Sequence, residues 1–122
     1  MYERIVIYGD FVIHQQPENN KITRGKFEMA KLLTEQEIQE QVSTLSNWTL
    51  EKSKLQLNLV FKDFVEAINF VNQLVEPAES AGHHPDIEIS YNRVKLTLTT
   101  HDAGGLTQKD FDLAKIISRN QA

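Results

Sequence analysis

Cysteine is absent from this 122-residue chain, which excludes disulfides, thiolate zinc sites and thiol redox chemistry and fits a reducing compartment. Long apolar runs are missing as well. No stretch approaches the ~20 apolar residues of a transmembrane helix, and the opening MYERIVIYGDF breaks its short apolar run at Glu3, Arg4 and Asp10. That opening does not read as a secretory signal, so the cytoplasm is the expected address and no membrane is expected as a partner. Positive charge is also short: 13 Lys and Arg against 17 Asp and Glu leave a net charge of −4, with no electrostatic reason to bind phosphate backbones directly. No serine stands in a GxSxG setting, and DAGG lacks the lysine of a phosphate loop. What remains is 40% hydrophobic and 25% charged, the composition of one globular domain. A chain of this length buries roughly two thirds of its unfolded surface in a single core.

Residues 1–31 read as an N-terminal extension, either a short hairpin around Gly9-Asp10 or a mobile segment, because the polar, turn-rich QPENNKITRGK follows ERIVIYGDFVIHQ. His14 in this segment stands alone and is expected to be exposed or on an edge strand. Residues 32–122 carry the sharper signals. Thr34 and Glu37 form a capping box, with Leu33 and Ile38 as a hydrophobic staple, so a short helix starts there. Leu55, Leu57, Leu59 and Phe61 alternate at period two, the mark of a strand buried on one face, and WTLEK before them predicts a hairpin turning near Lys52-Ser53. The period then changes. Phe64, Ala67, Ile68, Val71, Leu74 and Val75 form the stripe of an amphipathic helix, which Asp63 caps and Pro77 kinks or breaks before Gly82 ends its last turn. Period two returns through Ile87, Ile89 and Tyr91 and again through Val94, Leu96 and Leu98, with a turn expected at Asn92-Arg93. Thr107, Asp110 and the pair Leu106 and Phe111 then start a closing helix. The order predicts an α+β fold, a four-stranded antiparallel sheet with helices packed on one face.

The chemistry concentrates at one end of that sheet. His83 and His84 precede one strand of the second hairpin and His101 follows the other, so antiparallel pairing brings all three to one edge. A metal is one reading, but adjacent histidines point apart and the chain has no HxH, HxxxH or HExxH spacing, so no metal is expected. Polar capping of helix and strand ends is a second. Acid/base catalysis is the third: imidazole titrates near ~6.5, so one ring can donate a proton while another accepts. Glu79 strengthens it, because a helix continued through it sets Glu79 and His83 at i and i+4, where a carboxylate orients an imidazole.

The series ESAGHHPDIEISYNRVKLTLTTHDAGGLTQKD resembles the signature of the pterin-4a-carbinolamine dehydratase family. Its elements are Glu79, His83-His84-Pro85, Tyr91, Thr100-His101 and Asp110, and the likeness runs over about residues 33–118. The resemblance implies the family's four-stranded sheet, a homodimer or homotetramer, a small-molecule pterin substrate and no metal or organic cofactor. The implied reaction is loss of water from a 4a-hydroxytetrahydropterin to give the quinonoid dihydropterin, as in tetrahydrobiopterin recycling. It also implies His83 and His101 as acids facing the leaving hydroxyl, His84 as the pterin holder and assisting base, and Glu79 as the group that orients a histidine. Gly82, Pro85 and Thr99, Thr100, His101 and Asp102 would line the pterin, with Asp110 shaping the site. Gly82 stands where the family commonly has a polar residue. A different function on the same scaffold, a dimerisation cofactor or assembly chaperone with a protein partner, is favoured by the N-terminal extension and opposed by the unbroken signature.

Overall fold

The structure, a computed structural model, describes residues 4–9 and 31–121. In chain order it comprises β1 (Arg4–Ile7), α1 (Glu35–Val42), β2 (Trp48–Glu51), β3 (Lys54–Val60), α2 (Phe64–Asn72), α3 (Val75–Ala81), β4 (Asp86–Ser90), β5 (Arg93–Leu98), a 3-10 turn (His101–Ala103) and α4 (Gln108–Gln121). The class is the expected α+β with an antiparallel sheet, but the sheet has five strands rather than four, in the order β1-β4-β5-β3-β2. The fifth is β1. Its partner is β4, with Ile5 opposite Ile89 and Ile7 opposite Ile87. The proposed return strand of an N-terminal hairpin, and His14 with it, lies outside the described residues.

Alternation decides which face is covered. Leu55 and Leu57 of β3, Ile87 and Ile89 of β4, and Val94, Leu96 and Leu98 of β5 are all buried, whereas the intervening Gln56, Glu88, Lys95 and Thr97 keep partial exposure. The buried set packs in one cluster with Ala67, Phe70 and Leu74 from the α2 region and with Phe111, Ala114 and Ile117 of α4. Each fully buried Leu, Ile or Phe contributes roughly 1.5–3 kcal/mol over its exposed state, so this layer holds the domain together. Trp48 ties the far edge strand to α4 through an Nε1–H to Ser118 Oγ hydrogen bond of 2.8 Å.

The start signals act as their chemistry requires. Thr34 Oγ1 accepts from the Glu37 N–H at 3.1 Å while Glu37 Oε1 accepts from the Thr34 N–H at 2.8 Å, a complete capping box. Asp63 Oδ1 caps α2 through the Glu66 N–H at 2.9 Å. Pro77 breaks the helix upstream of itself. Its ring would meet the carbonyl four residues back, at Gln73, and α2 ends with Gln73 as its C-cap; Pro77 then sits in the first turn of α3, where a missing N–H costs no helical bond. The first hairpin turns at Lys52-Ser53, with Lys52 at φ 59°. The second turns one residue earlier than the pattern indicated: Ser90 pairs with Arg93, so Tyr91-Asn92 form the turn, and Tyr91 takes φ 56°.

Candidate active site

Helix α3 ends where the sequence changes conformational rules. Gly82 adopts φ 62° and ψ 33°, a left-handed cap that side chains disfavour, and the His83 N–H bonds back to the Ala78 carbonyl at 3.1 Å. This closure turns the chain abruptly at His83 and sends it into β4. The register does the rest: Asp86 pairs with Thr97, so the residues before β4 and those after β5 share one end of the sheet. His83, His84 and His101 therefore stand at the same sheet end, in three different settings.

His83 is buried. Its Nε2 lies 2.6 Å from Asp110 Oδ1, with the two side chains 3% and 0% exposed. Asp110 is the first-turn acid of α4, and its second oxygen accepts from the Thr100 hydroxyl at 2.8 Å and from the Thr107 N–H at 2.9 Å. An ionised carboxylate only accepts, so Nε2 of His83 carries the proton that it donates. Thr100 has spent its one hydroxyl proton on Asp110, which makes the Thr107 hydroxyl the donor in their 2.8 Å contact. One buried carboxylate thus fastens the end of β5, the start of α4 and the histidine after α3.

His84 faces the other way and is part-exposed. Its Nε2 lies 2.7 Å from Glu79 Oε2, with side chains 39% and 70% exposed. The expected partnership of Glu79 with His83 at i, i+4 is not what forms, because Gly82 ends the helix before His83; the carboxylate that meets His83 belongs to Asp110, and Glu79 meets His84. Both residues line an open groove of about 690 Å³, with Gly82 and Pro85 beside them and Val71 and Val75 on its helical side. Ile7, Tyr8 and Gly9 close the groove on the side of β1, a contribution that sequence reading missed because Gly9-Asp10 looked like a turn.

The remaining predicted residues lie on the return of the sheet. His101 and Asp102 are exposed in the 3-10 turn, and among the described residues the His101 ring makes no hydrogen bond. Thr99 Oγ1 donates to the Ser53 carbonyl at 3.0 Å and so fastens the first hairpin turn. Thr100 belongs to the Asp110 network and bridges Gly105 through the backbone. Among the described residues no group of three His, Cys, Asp or Glu side chains is placed to hold a metal ion. No helix among them is long and apolar enough to cross a membrane.

Comparison with known proteins converges on one family. The profile of the family Pterin 4 alpha carbinolamine dehydratase matches residues 31–120. A relative from Nostoc sp., provisionally named a pterin-4-alpha-carbinolamine dehydratase, is 76% identical over 91 residues, 75% of this chain and 98% of its own. A relative from Acidobacterium capsulatum with the same provisional name is 55% identical over 85 residues, 70% of this chain and 92% of its own. Among solved structures, a transcriptional coactivator/pterin dehydratase from Brucella melitensis superposes with a TM-score of 0.68 at 35% identity, covering 71% of this chain and 95% of that one.

Proposed function

The chain belongs to the pterin 4 alpha carbinolamine dehydratase family, and on that premise we propose that it removes water from a 4a-hydroxytetrahydropterin with its histidines as the acid and base. It is a hydro-lyase: the C4a–O bond breaks, the hydroxyl leaves as water with an added proton, and N5 gives up its proton as the C4a–N5 double bond of the quinonoid dihydropterin forms. One proton is donated and one is taken, so the step is neutral overall and calls for two imidazoles in opposite protonation states.

The observation that carries this reading is the Glu79–His84 pair on the wall of a groove of ligand size. A carboxylate accepting from one imidazole nitrogen leaves the other as a lone-pair acceptor and raises its basicity, which suits His84 to hold the pterin and take the N5 proton. His101, exposed at the same sheet end, and His83, oriented by Asp110, are assigned the donation to the departing hydroxyl. Gly82, Pro85 and Thr99 to Asp102 are assigned to the surroundings of the ring. A stopped-flow assay of carbinolamine dehydration tests the proposal. The rate should exceed the spontaneous one, collapse in His84→Ala and fall in His101→Ala; a rate equal to the spontaneous one in the unaltered protein would overturn it.

We assign residues 32–122 to the dehydratase domain and residues 1–31 to an extension, and expect a homodimer or homotetramer. The half-exposed sheet face of Gln56, Lys95 and Thr97 supplies a surface that a second copy could cover, and light scattering would reveal it. A second reading, a binding role beside catalysis, is favoured by the coactivator name of the Brucella protein. Loss of a co-purifying partner on deletion of residues 1–31, with turnover intact, would establish it.

A further inference from the structure

The segment outside the family match touches the candidate site. The family profile begins at residue 31, and 91 residues of this chain account for 98% of the Nostoc relative, yet β1 runs antiparallel to β4 and delivers Ile7, Tyr8 and Gly9 to the groove that holds His84. Contact there is backbone on backbone. A Cβ on Gly9 would stand 2.0 Å from the His84 carbonyl oxygen and 2.5 Å from that of Pro85, so only glycine fits without moving the main chain that carries His84. The Gly9 N–H also donates to Asp86 Oδ1 at 2.5 Å, pinning the strand end to the first residue of β4.

The lining has a charge pattern as well. Among the described residues it carries one carboxylate, Glu79, and no Lys or Arg. The half that faces Ile7, Val71 and Val75 is apolar, while Tyr8 brings an exposed phenol. A reduced pterin with its ring beside His84 would extend its ring substituent along this wall. A neutral hydroxyalkyl or methyl substituent matches such a surface, whereas a carboxylate or phosphate would meet the like charge of Glu79 with no Lys or Arg among the described lining residues to offset it.

We infer that Ile7, Tyr8 and Gly9 make the N-terminal segment a specificity wall of the substrate groove, selecting reduced pterins with neutral ring substituents over those with anionic ones. Gly9 is a positioning residue, acting through the main chain of His84; Ile7 and Tyr8 face the substituent. The inference rests on the dehydratase reading, and its test separates the two.

The test measures dehydration by the full chain with two carbinolamines, one carrying a methyl or dihydroxypropyl group and one carrying an aminobenzoyl-glutamate tail. The unaltered protein should favour the neutral substrate by about 10-fold or more in kcat/KM. Ile7→Lys and Tyr8→Lys should shrink that ratio about 5-fold or more by lowering KM for the anionic substrate at unchanged kcat, a gain that misfolding does not produce. Gly9→Ala should raise KM for both substrates by about 5-fold, because the His84 carbonyl must yield to the added methyl. Equal use of both substrates by the unaltered protein, or a ratio indifferent to both lysine variants, would overturn the inference and leave the dehydratase reading standing. No dehydration of either substrate would overturn both.

Discussion

His83 and His84 are neighbours in sequence and each meets a carboxylate among the described residues, but the two pairs live in different media. The His83–Asp110 contact is sealed and shares its carboxylate with Thr100 and Thr107, while the His84–Glu79 contact opens on the groove. In the sealed pair the hydrogen bonds stand in for the water that burial excludes, so removing Asp110 takes a buried partner from each of the others. In the open pair water replaces whatever is lost, and an exposed ion pair is worth only ~0–1 kcal/mol. The sealed pair is therefore a fastening that also fixes a ring, and on the proposed function the open pair is a working part, whose loss is expected in turnover rather than in stability.

The sharpest way to break this contrast is Asp110→Ala. It takes a buried partner from His83, Thr100 and the Thr107 N–H, and should cost about 3–5 kcal/mol in urea unfolding, with activity lost as well. A cost below ~1 kcal/mol would mean that the network is not a fastening. His84→Ala should do the reverse. Dehydration kcat/KM should fall about 10²–10⁴-fold, while the unfolding free energy should move by less than ~1 kcal/mol, and an equally large stability loss would erase the distinction between the pairs. Thr100→Val removes one donor to Asp110 and the acceptor for Thr107, so a loss of about 1–3 kcal/mol is expected from denaturant midpoints, between the first two in structural effect. The smallest change should come from Glu79→Gln, which keeps the shape and removes the charge. Turnover should drop about 10-fold with an unchanged melting curve, in keeping with the loss of a carboxylate that orients an imidazole; full activity would remove Glu79 from the site.

The parts of the fold that a linear reading captured are those governed by local rules. The capping box at Thr34, the cap at Asp63, the hairpin at Lys52-Ser53 and the left-handed close at Gly82 each depend on residues within four or five positions of one another. The gathering of three histidines at one sheet end was also legible, since a hairpin register alone requires it. What escaped was non-local. The pairing of β1 with β4 joins Arg4 to Ser90, and nothing within the segment RIVI announces which edge it will choose. The partner of Glu79 was misjudged for a related reason: i, i+4 spacing presumed a helix that Gly82 had already ended. Asp110 shows the opposite error. Its capping role was sufficient to explain its spacing, and the bond to His83, 27 positions away, is added to that role rather than replacing it.

The indole of Trp48 has a use of its own. It is the chain's one tryptophan, it is buried on the edge strand opposite β1, and its N–H is held by Ser118 of α4. Its emission is therefore a native optical gauge of whether the closing helix remains docked on the sheet. A variant that loses turnover while this emission stays unshifted has suffered a chemical lesion; a red-shifted emission marks a protein whose two layers have parted.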